Sequence, residues 1–268
     1  MTVDLEDYFC DLDFSEWSNY QSRILQTTQT LLDLFEKHDV TATFFTVGYI
    51  AEKFPELIEK IVQKGHEIGS HSYSHLDIRK STKEQFEVDL VKSVQVLEKT
   101  SKEKINGFRA PYFSIDCKTL WAFTIIRKYL RYDSSIFPVK TPLYGIPNAP
   151  RNVYRPSIKD PLSNDDSENF VELPPATNSM PLIGNIPIAG GFHLRFLPYW
   201  YIRSGIKKIN KAGNPAICYI HPKDLDPDMP KIPQYKWYYY YGLKNALKRY
   251  ENLLRDFKFG SVRDVIKI

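Results

Sequence analysis

Two histidines four residues apart, His71 and His75 in the run GSHSYSH, are the residues whose types and spacing most sharply suggest chemistry. That spacing would set both imidazoles on one side of a helical turn, within reach of a single ion. A zinc-type catalytic centre takes three protein ligands and keeps a position for water, so the pair asks for a third ligand, often a carboxylate. The acidic cluster Asp4, Glu6 and Asp7 offers one. Three carboxylates this close repel one another unless a proton or cation is shared. In an extended strand Asp4 and Glu6 point the same way, which favours Glu6 as the metal carboxylate, whereas a turn beginning at Leu5 brings in Asp7. The cofactor these residues imply is a divalent metal ion, zinc foremost, with cobalt, nickel and manganese as alternatives.

The elements that must position these groups read as α/β. Short β-prone runs alternate with helical patterns: Met1–Leu5, the helical stretch Arg23–His38, then VTATFFTVG, PELIEKIVQKG and HEIGSHS. This βαβα rhythm implies a parallel sheet. Ile24, Leu25, Leu31, Leu32, Leu34 and Phe35 fit one helical face, and a second such helix runs from Lys83 to Glu98. NPAICYIHP reads as a late buried strand ending in His221. Asp4, His71, Arg109, Asp133 and His221 all fall at strand ends, where ligands gather in parallel α/β folds. The stretch of about 140–170 is rich in Pro, Asn and Asp and reads as a loop-rich insertion forming a cleft wall.

Composition narrows the class. The chain has 268 residues, 43% hydrophobic and 25% charged, which suits one domain over 1–268 with a sizeable core. A net charge of +4 is spread over short segments, so nucleic acid is not an expected partner. Cys10, Cys117 and Cys218 are odd in number and far apart, which argues for free thiols and against a thiolate metal site. No segment approaches the length of a membrane span, and no basic region followed by an apolar stretch opens the chain, so a cytoplasmic location is expected.

TVDLEDYF, HSYSH, RAPYF and YIHP, in this order, resemble the polysaccharide deacetylases of carbohydrate esterase family 4, the NodB-homology domain. GFRAPYFS, YDSSIFP, GGFHLRFLPY and YIHPKDLDP look like the subgroup found with bacterial exopolysaccharide gene clusters. The resemblance implies a distorted (β/α) barrel, a carbohydrate substrate and hydrolysis by water activated on a metal. It assigns Asp4 as general base, Arg109 as the residue that orients it, the Tyr112 backbone N–H as part of the oxyanion hole, and His221 as general acid across the cleft. Asp133 matches the region where an aspartate tunes that histidine. The family usually has adjacent aspartates where this chain reads Asp4-Leu5-Glu6-Asp7, so Glu6 and Asp7 both stand as metal carboxylates.

The expected activity is removal of acetyl groups from N-acetylated sugars of a polysaccharide or glycan precursor. The alternatives are an O-acetyl sugar esterase, a small-amide hydrolase on the same fold, or a carbohydrate-binding homologue without chemistry. YKWYYYYG, from Tyr235 to Gly242, offers rings that stack on sugar faces or pack internally. Gly190 and Gly191 permit close backbone approach, and Arg195 is available for an acidic sugar.

Overall fold

The computed structural model describes residues 1–188 and 190–267. Its first half runs β1 (Thr2–Leu5), α1 (Ile24–Lys37), β2 (Thr43–Thr46), α2 (Gly48–Lys53), α3 (Pro55–Gln63), β3 (Glu67–Ser70), α4 (Lys83–Ser101), β4 (Gly107–Phe108), α5 (Ala122–Tyr129) and β5 (Tyr132–Asp133). The second half runs β6 (Val171–Glu172), β7 (Thr177–Met180), β8 (Gly184–Pro187), α6 (Gly191–Phe196), α7 (Tyr199–Lys211), β9 (Tyr219–Ile220), α8 (Trp237–Tyr240), α9 (Leu243–Asp256) and α10 (Val262–Ile266).

Seven strands form one sheet in the order β6-β5-β4-β3-β2-β1-β9, and every pairing is parallel. Just beyond its edges Pro175 bridges Ile217 and Gly190 bridges Tyr219, so the sheet curls toward closure through isolated contacts instead of an eighth regular strand. This is the distorted barrel that the motifs imply. All four residues of β1, β2 and β3 are buried, as strands sandwiched between layers must be.

The helices follow their apolar stripes. In α1 the buried residues include Ile24, Leu31, Leu32, Leu34 and Phe35, whereas Leu25 is exposed. Helix α4 starts at a capping box in which Thr82 and Gln85 satisfy each other's backbone N–H groups, and it runs three residues past the expected end to Ser101. Residues 140–170 contain turns and two isolated bridges, Tyr154 with Glu172 and Pro156 with Asn164. Among the described residues, no helix is long and apolar enough to cross a membrane. The three cysteines are free, with Cys10 and Cys218 buried and Cys117 exposed.

Candidate active site

The carboxyl ends of β1, β3, β4 and β9 converge on one cleft of about 500 Å³. Asp4 stands near the end of β1 and Glu6 just past it, where the Glu6 N–H donates to the Asp4 carbonyl at 3.0 Å. His71 follows β3 directly. The HxxxH segment is not a helical turn: residues 71–75 are irregular, and Ser72 and His75 adopt positive φ of 66° and 55°. Those two left-handed residues still bring the imidazole centroids to 5.2 Å.

Glu6, His71 and His75 each direct a ligand atom into a common space, all within 4.8 Å of one another. Backbone carbonyls fix both rings: His71 Nδ1 lies 2.7 Å from the Arg109 carbonyl and His75 Nδ1 lies 2.9 Å from that of Cys10. A carbonyl accepts, so each Nδ1 carries the proton and, in a neutral ring, each Nε2 presents a lone pair. His75 Nε2 nevertheless approaches Glu6 Oε2 to 2.5 Å, and that oxygen has no hydrogen-bond partner beyond it. Two acceptors at that separation require a shared proton or a cation. Burial pushes the His71 ring down to about 4, keeping it neutral. For His75 burial acts in the same sense, but the Glu6 charge outweighs it and lifts the ring above its ordinary range. The donor set therefore fits a divalent metal ion.

Asp7, the alternative carboxylate, turns away. It accepts from the Tyr8 N–H at 2.9 Å and from the Ser22 hydroxyl and the Arg23 N–H, anchoring the start of α1. With its acceptor sites occupied there, it leaves Glu6 to face the histidines.

Arg109 is completely buried. Its guanidinium donates to Asp4 Oδ1 at 2.7 Å, Thr2 Oγ1 at 2.8 Å, the Ser134 carbonyl at 3.0 Å and Ser134 Oγ at 2.7 Å. Phe45 packs under its plane at 4.4 Å. The Asp4 carboxylate is thereby oriented and its charge matched by a cation. Tyr112 has a φ of 57° in the turn after β4, and its ring lies 4.6 Å from that of His75.

His221 Nε2 comes to 3.7 Å from Asp4 Oδ2 and 3.6 Å from Glu6 Oε1. The two expected proton carriers are thus neighbours in the cleft, not on opposite walls. The partner of His221 is not Asp133. Its Nδ1 lies 3.0 Å from Asp224 Oδ2, and Asp224 is gripped in turn by Arg195 Nε at 3.1 Å and the Tyr250 hydroxyl at 3.1 Å. Burial works against charge on His221, but Asp224 overrides it and raises the ring above its ordinary range. Arg195 is buried and spent on Asp224 and the carbonyls of Tyr239 and Tyr241, so it is not available for an acidic sugar.

Asp133 sits at the end of β5, directly opposite Glu172 on β6, and accepts from the Ser135 N–H and hydroxyl. Burial lifts Asp133 to about 6 and Glu172 well above the carboxylate range, since two buried carboxyls side by side cannot both ionise. The folded state holds a proton that the unfolded chain releases near pH 4. The associated stability is full below that pH and fades as pH rises through 6 and beyond. Glu172→Gln is accordingly expected to flatten the fall in melting temperature between pH 5 and 8, a difference of about 1–3 kcal/mol. Parallel melting profiles for variant and parent would refute this.

Lys223 and Asp224, which lie within YIHPKDLDP without an assigned role, join the site together with Asp11. Lys223 is half-buried, with Nζ 2.7 Å from Glu6 Oε1 and 3.0 Å from Asp11 Oδ2. It engages one Glu6 oxygen and leaves the other for the histidines. A lone lysine or aspartate is mute in sequence, but Asp224 stands three residues after His221 with Pro222 between, the spacing of a helix-start cap. Gly190 and Gly191 are required where they stand. A Cβ on Gly190 would lie 1.7 Å from the Tyr219 ring, and Gly191 has a φ of 37°, where a Cβ would meet His221 Cε1 at 3.1 Å.

The chain matches two family models: Polysaccharide deacetylase over residues 19–124, and Domain of unknown function (DUF3473) over residues 134–267. It is 35% identical over 91 residues to a peptidoglycan-N-acetylglucosamine deacetylase of Bacillus cereus, covering 34% of this chain and 33% of the relative. It spans about a third of the length of the curated relatives it matches. Among solved structures, a Mycobacterium smegmatis protein described as a polysaccharide deacetylase superposes over 100% of this chain and 87% of its own, with a TM-score of 0.63 and 17% identity. An allantoinase superposes over 99% and 87%, with a TM-score of 0.60 and 13% identity. At such identities these likenesses establish the fold alone. With the histidine pair and RAPY motif lying inside the first matched region, and His221 inside the second, this chain belongs to the polysaccharide deacetylase family and carries the DUF3473 region as its second half.

Proposed function

We propose that the protein is a metal-dependent hydrolase that removes acetyl groups from N-acetylated sugars of a glycan. The observation that carries this reading is the convergence of Glu6, His71 and His75 beside the buried Asp4–Arg109 pair, with His221 within 4 Å of Asp4. Glu6, His71 and His75 would hold the metal, zinc foremost. When bound, a divalent cation supplies Lewis acidity, acidifying water and polarising an acyl oxygen.

The remaining work falls to side chains and backbone. Asp4, oriented by Arg109, accepts the proton of the attacking water. The Tyr112 N–H, presented by a left-handed turn, donates to the developing oxyanion. His221, braced by Asp224, gives a proton to the departing nitrogen, which an amide needs because an unprotonated amide anion is a very poor leaving group. The matched relatives include deacetylases of peptidoglycan and of chitooligosaccharides, which supports an N-acetylhexosamine substrate. The exopolysaccharide-cluster motifs favour an exopolysaccharide or its precursor.

The test is acetate release from N-acetylglucosamine oligomers and from O-acetylated xylan, by protein stripped with chelator and then reloaded with one metal at a time. Release from the N-acetylated substrates that disappears on stripping and returns with zinc is the expected result. Release confined to O-acetyl substrates would reassign the leaving atom, and release indifferent to chelation would overturn the metal dependence.

A further inference from the structure

Residues 173–223 contain no Asp or Glu, although the chain's 32 acidic residues in 268 would place about six there. The same stretch carries Arg195, Arg203, Lys207, Lys208, Lys211 and Lys223. Arg195 and Lys223 are spent in the cleft on Asp224 and Glu6, and Arg203 pairs with Asp256 at 2.6 Å. That leaves Lys207, Lys208 and Lys211, all exposed on α7. Trp200 and Ser204 are exposed as well, and steps of three and four residues set all five on one face of the helix.

The β7–β8 hairpin belongs to this acid-free stretch. Met180 pairs with Gly184, so Pro181, Leu182 and Ile183 form its tip, and all three are exposed, Leu182 at 107% and Ile183 at 68%. Leu182 has a φ of 68°, a left-handed conformation that glycine or asparagine takes at little cost and leucine only under strain. A bulky apolar side chain is thus held in solvent where turn chemistry calls for Gly or Asn. The hairpin is anchored at its base. Arg151 donates to the Thr177 hydroxyl and carbonyl at 3.1 and 2.8 Å, and Asn185 Nδ2 donates to the Pro138 carbonyl at 2.8 Å. The hairpin lies on α7 at Gly205, where a Cβ would meet Ile188 Cδ1 at 2.6 Å and Asn178 Cβ at 3.5 Å. Lys208, three residues on from Gly205, stands on that flank of the helix.

An apolar tip beside a cationic helix face suits a fluid interface whose surface is anionic and whose interior is apolar. A protein partner would have to supply a fitted recess for so narrow a convex tip, whereas lipid opens around it. We infer that the hairpin tip and the Trp200–Lys211 face of α7 dock on an anionic lipid bilayer, with Pro181, Leu182 and Ile183 below the headgroups and Lys207, Lys208 and Lys211 at the phosphates. Trp200 brings the amphipathic ring that settles at headgroup level. Asn185 ties the hairpin to the loop after β5, whose residues Thr141, Leu143 and Tyr144 border the cleft, so docking holds that wall of the cleft close to the lipid. The inference goes beyond the deacetylase reading and does not depend on it.

The experiment is co-sedimentation of the protein with vesicles of phosphatidylcholine alone or mixed with phosphatidylglycerol, without any glycan. The parent should bind the mixed vesicles and leave them in high salt, as a screened attraction requires. Leu182→Ser combined with Ile183→Ser should weaken partitioning roughly 5- to 20-fold, and Lys207→Gln combined with Lys208→Gln roughly 10- to 30-fold. These side chains are exposed, so melting temperatures and acetate release from soluble N-acetylglucosamine oligomers should match the parent. Leu182→Trp should gain an emission that shifts to the blue on mixed vesicles and is quenched by brominated lipid. A parent that ignores the mixed vesicles overturns docking whether or not it deacetylates, and a parent that binds them but releases no acetate upholds docking while sinking the deacetylase reading. Binding that survives the tip substitutions, or Leu182→Trp emission that brominated lipid leaves unquenched, overturns the role of the hairpin. A parent that is dimeric, unbound by vesicles and rendered monomeric by the tip substitutions would assign the tip to a contact between copies instead.

Discussion

Asp4→Asn is expected to lower acetate release by roughly 10²- to 10⁴-fold, the share a positioned general base contributes. The substitution is isosteric, so Oδ1 can still accept from Arg109 Nη1, while the capacity to take a proton from water is lost. Glu6, His71 and His75 do not depend on it for their geometry: the histidines are held by carbonyls of Arg109 and Cys10, and Glu6 by Lys223. Metal content measured by elemental analysis should therefore stay near that of the parent. If the metal is lost along with activity, Asp4 is a ligand and its role as general base is wrong.

Arg109→Met is the substitution expected to damage the fold most. It removes the donors to Asp4, Thr2 and both acceptors of Ser134 in one step, and it leaves the Asp4 carboxylate buried without its cation. Removing one partner of a buried pair costs about 3–5 kcal/mol, and the urea midpoint reports it directly. Arg109→Lys should recover little, because one ammonium cannot span acceptors on β1 and on the segment after β5. Adding Asp4→Asn to Arg109→Met should regain part of the loss, since the orphaned charge is then gone. A midpoint for Arg109→Met equivalent to less than about 1 kcal/mol of destabilisation, the range of an exposed pair, would show that solvent reaches Asp4 and that the pair is no buried brace.

Much of the fold is legible in the sequence because its signals are local. The β-prone run of TVDLEDYF and the apolar stripes of α1 and α4 lie within single stretches of chain, and the α/β alternation follows from them. The histidine pair is legible for the same reason, although its spacing suggests a helical turn where the chain uses two left-handed residues. What sequence does not disclose depends on neighbours far apart in the chain. Asp133 looks like a partner for His221 by position, but strand register pairs it with Glu172 and gives the role to Asp224. Asp7 and Glu6 are chemically alike, and only the hydrogen bonds from Ser22 and Arg23 decide which one turns inward. Arg195 reads as a free cation until Asp224 is seen beside it.

The place of β1 between β2 and β9 has a kinetic meaning. The Thr2 N–H and hydroxyl both donate to the carbonyl of Cys218, 216 residues away, and Arg109 draws Asp4 and Ser134 together across intermediate distances. Loop-closure entropy must be met before such pairings return any stability, so folding dominated by them is slow. During synthesis β1 emerges well before β9 and waits, one edge unpaired, until the segment carrying Tyr219 and Ile220 has left the ribosome. Over that interval its apolar residues and the Asp4 and Glu6 carboxylates share an unfinished sheet edge, the kind of surface on which nascent chains aggregate and chaperones act.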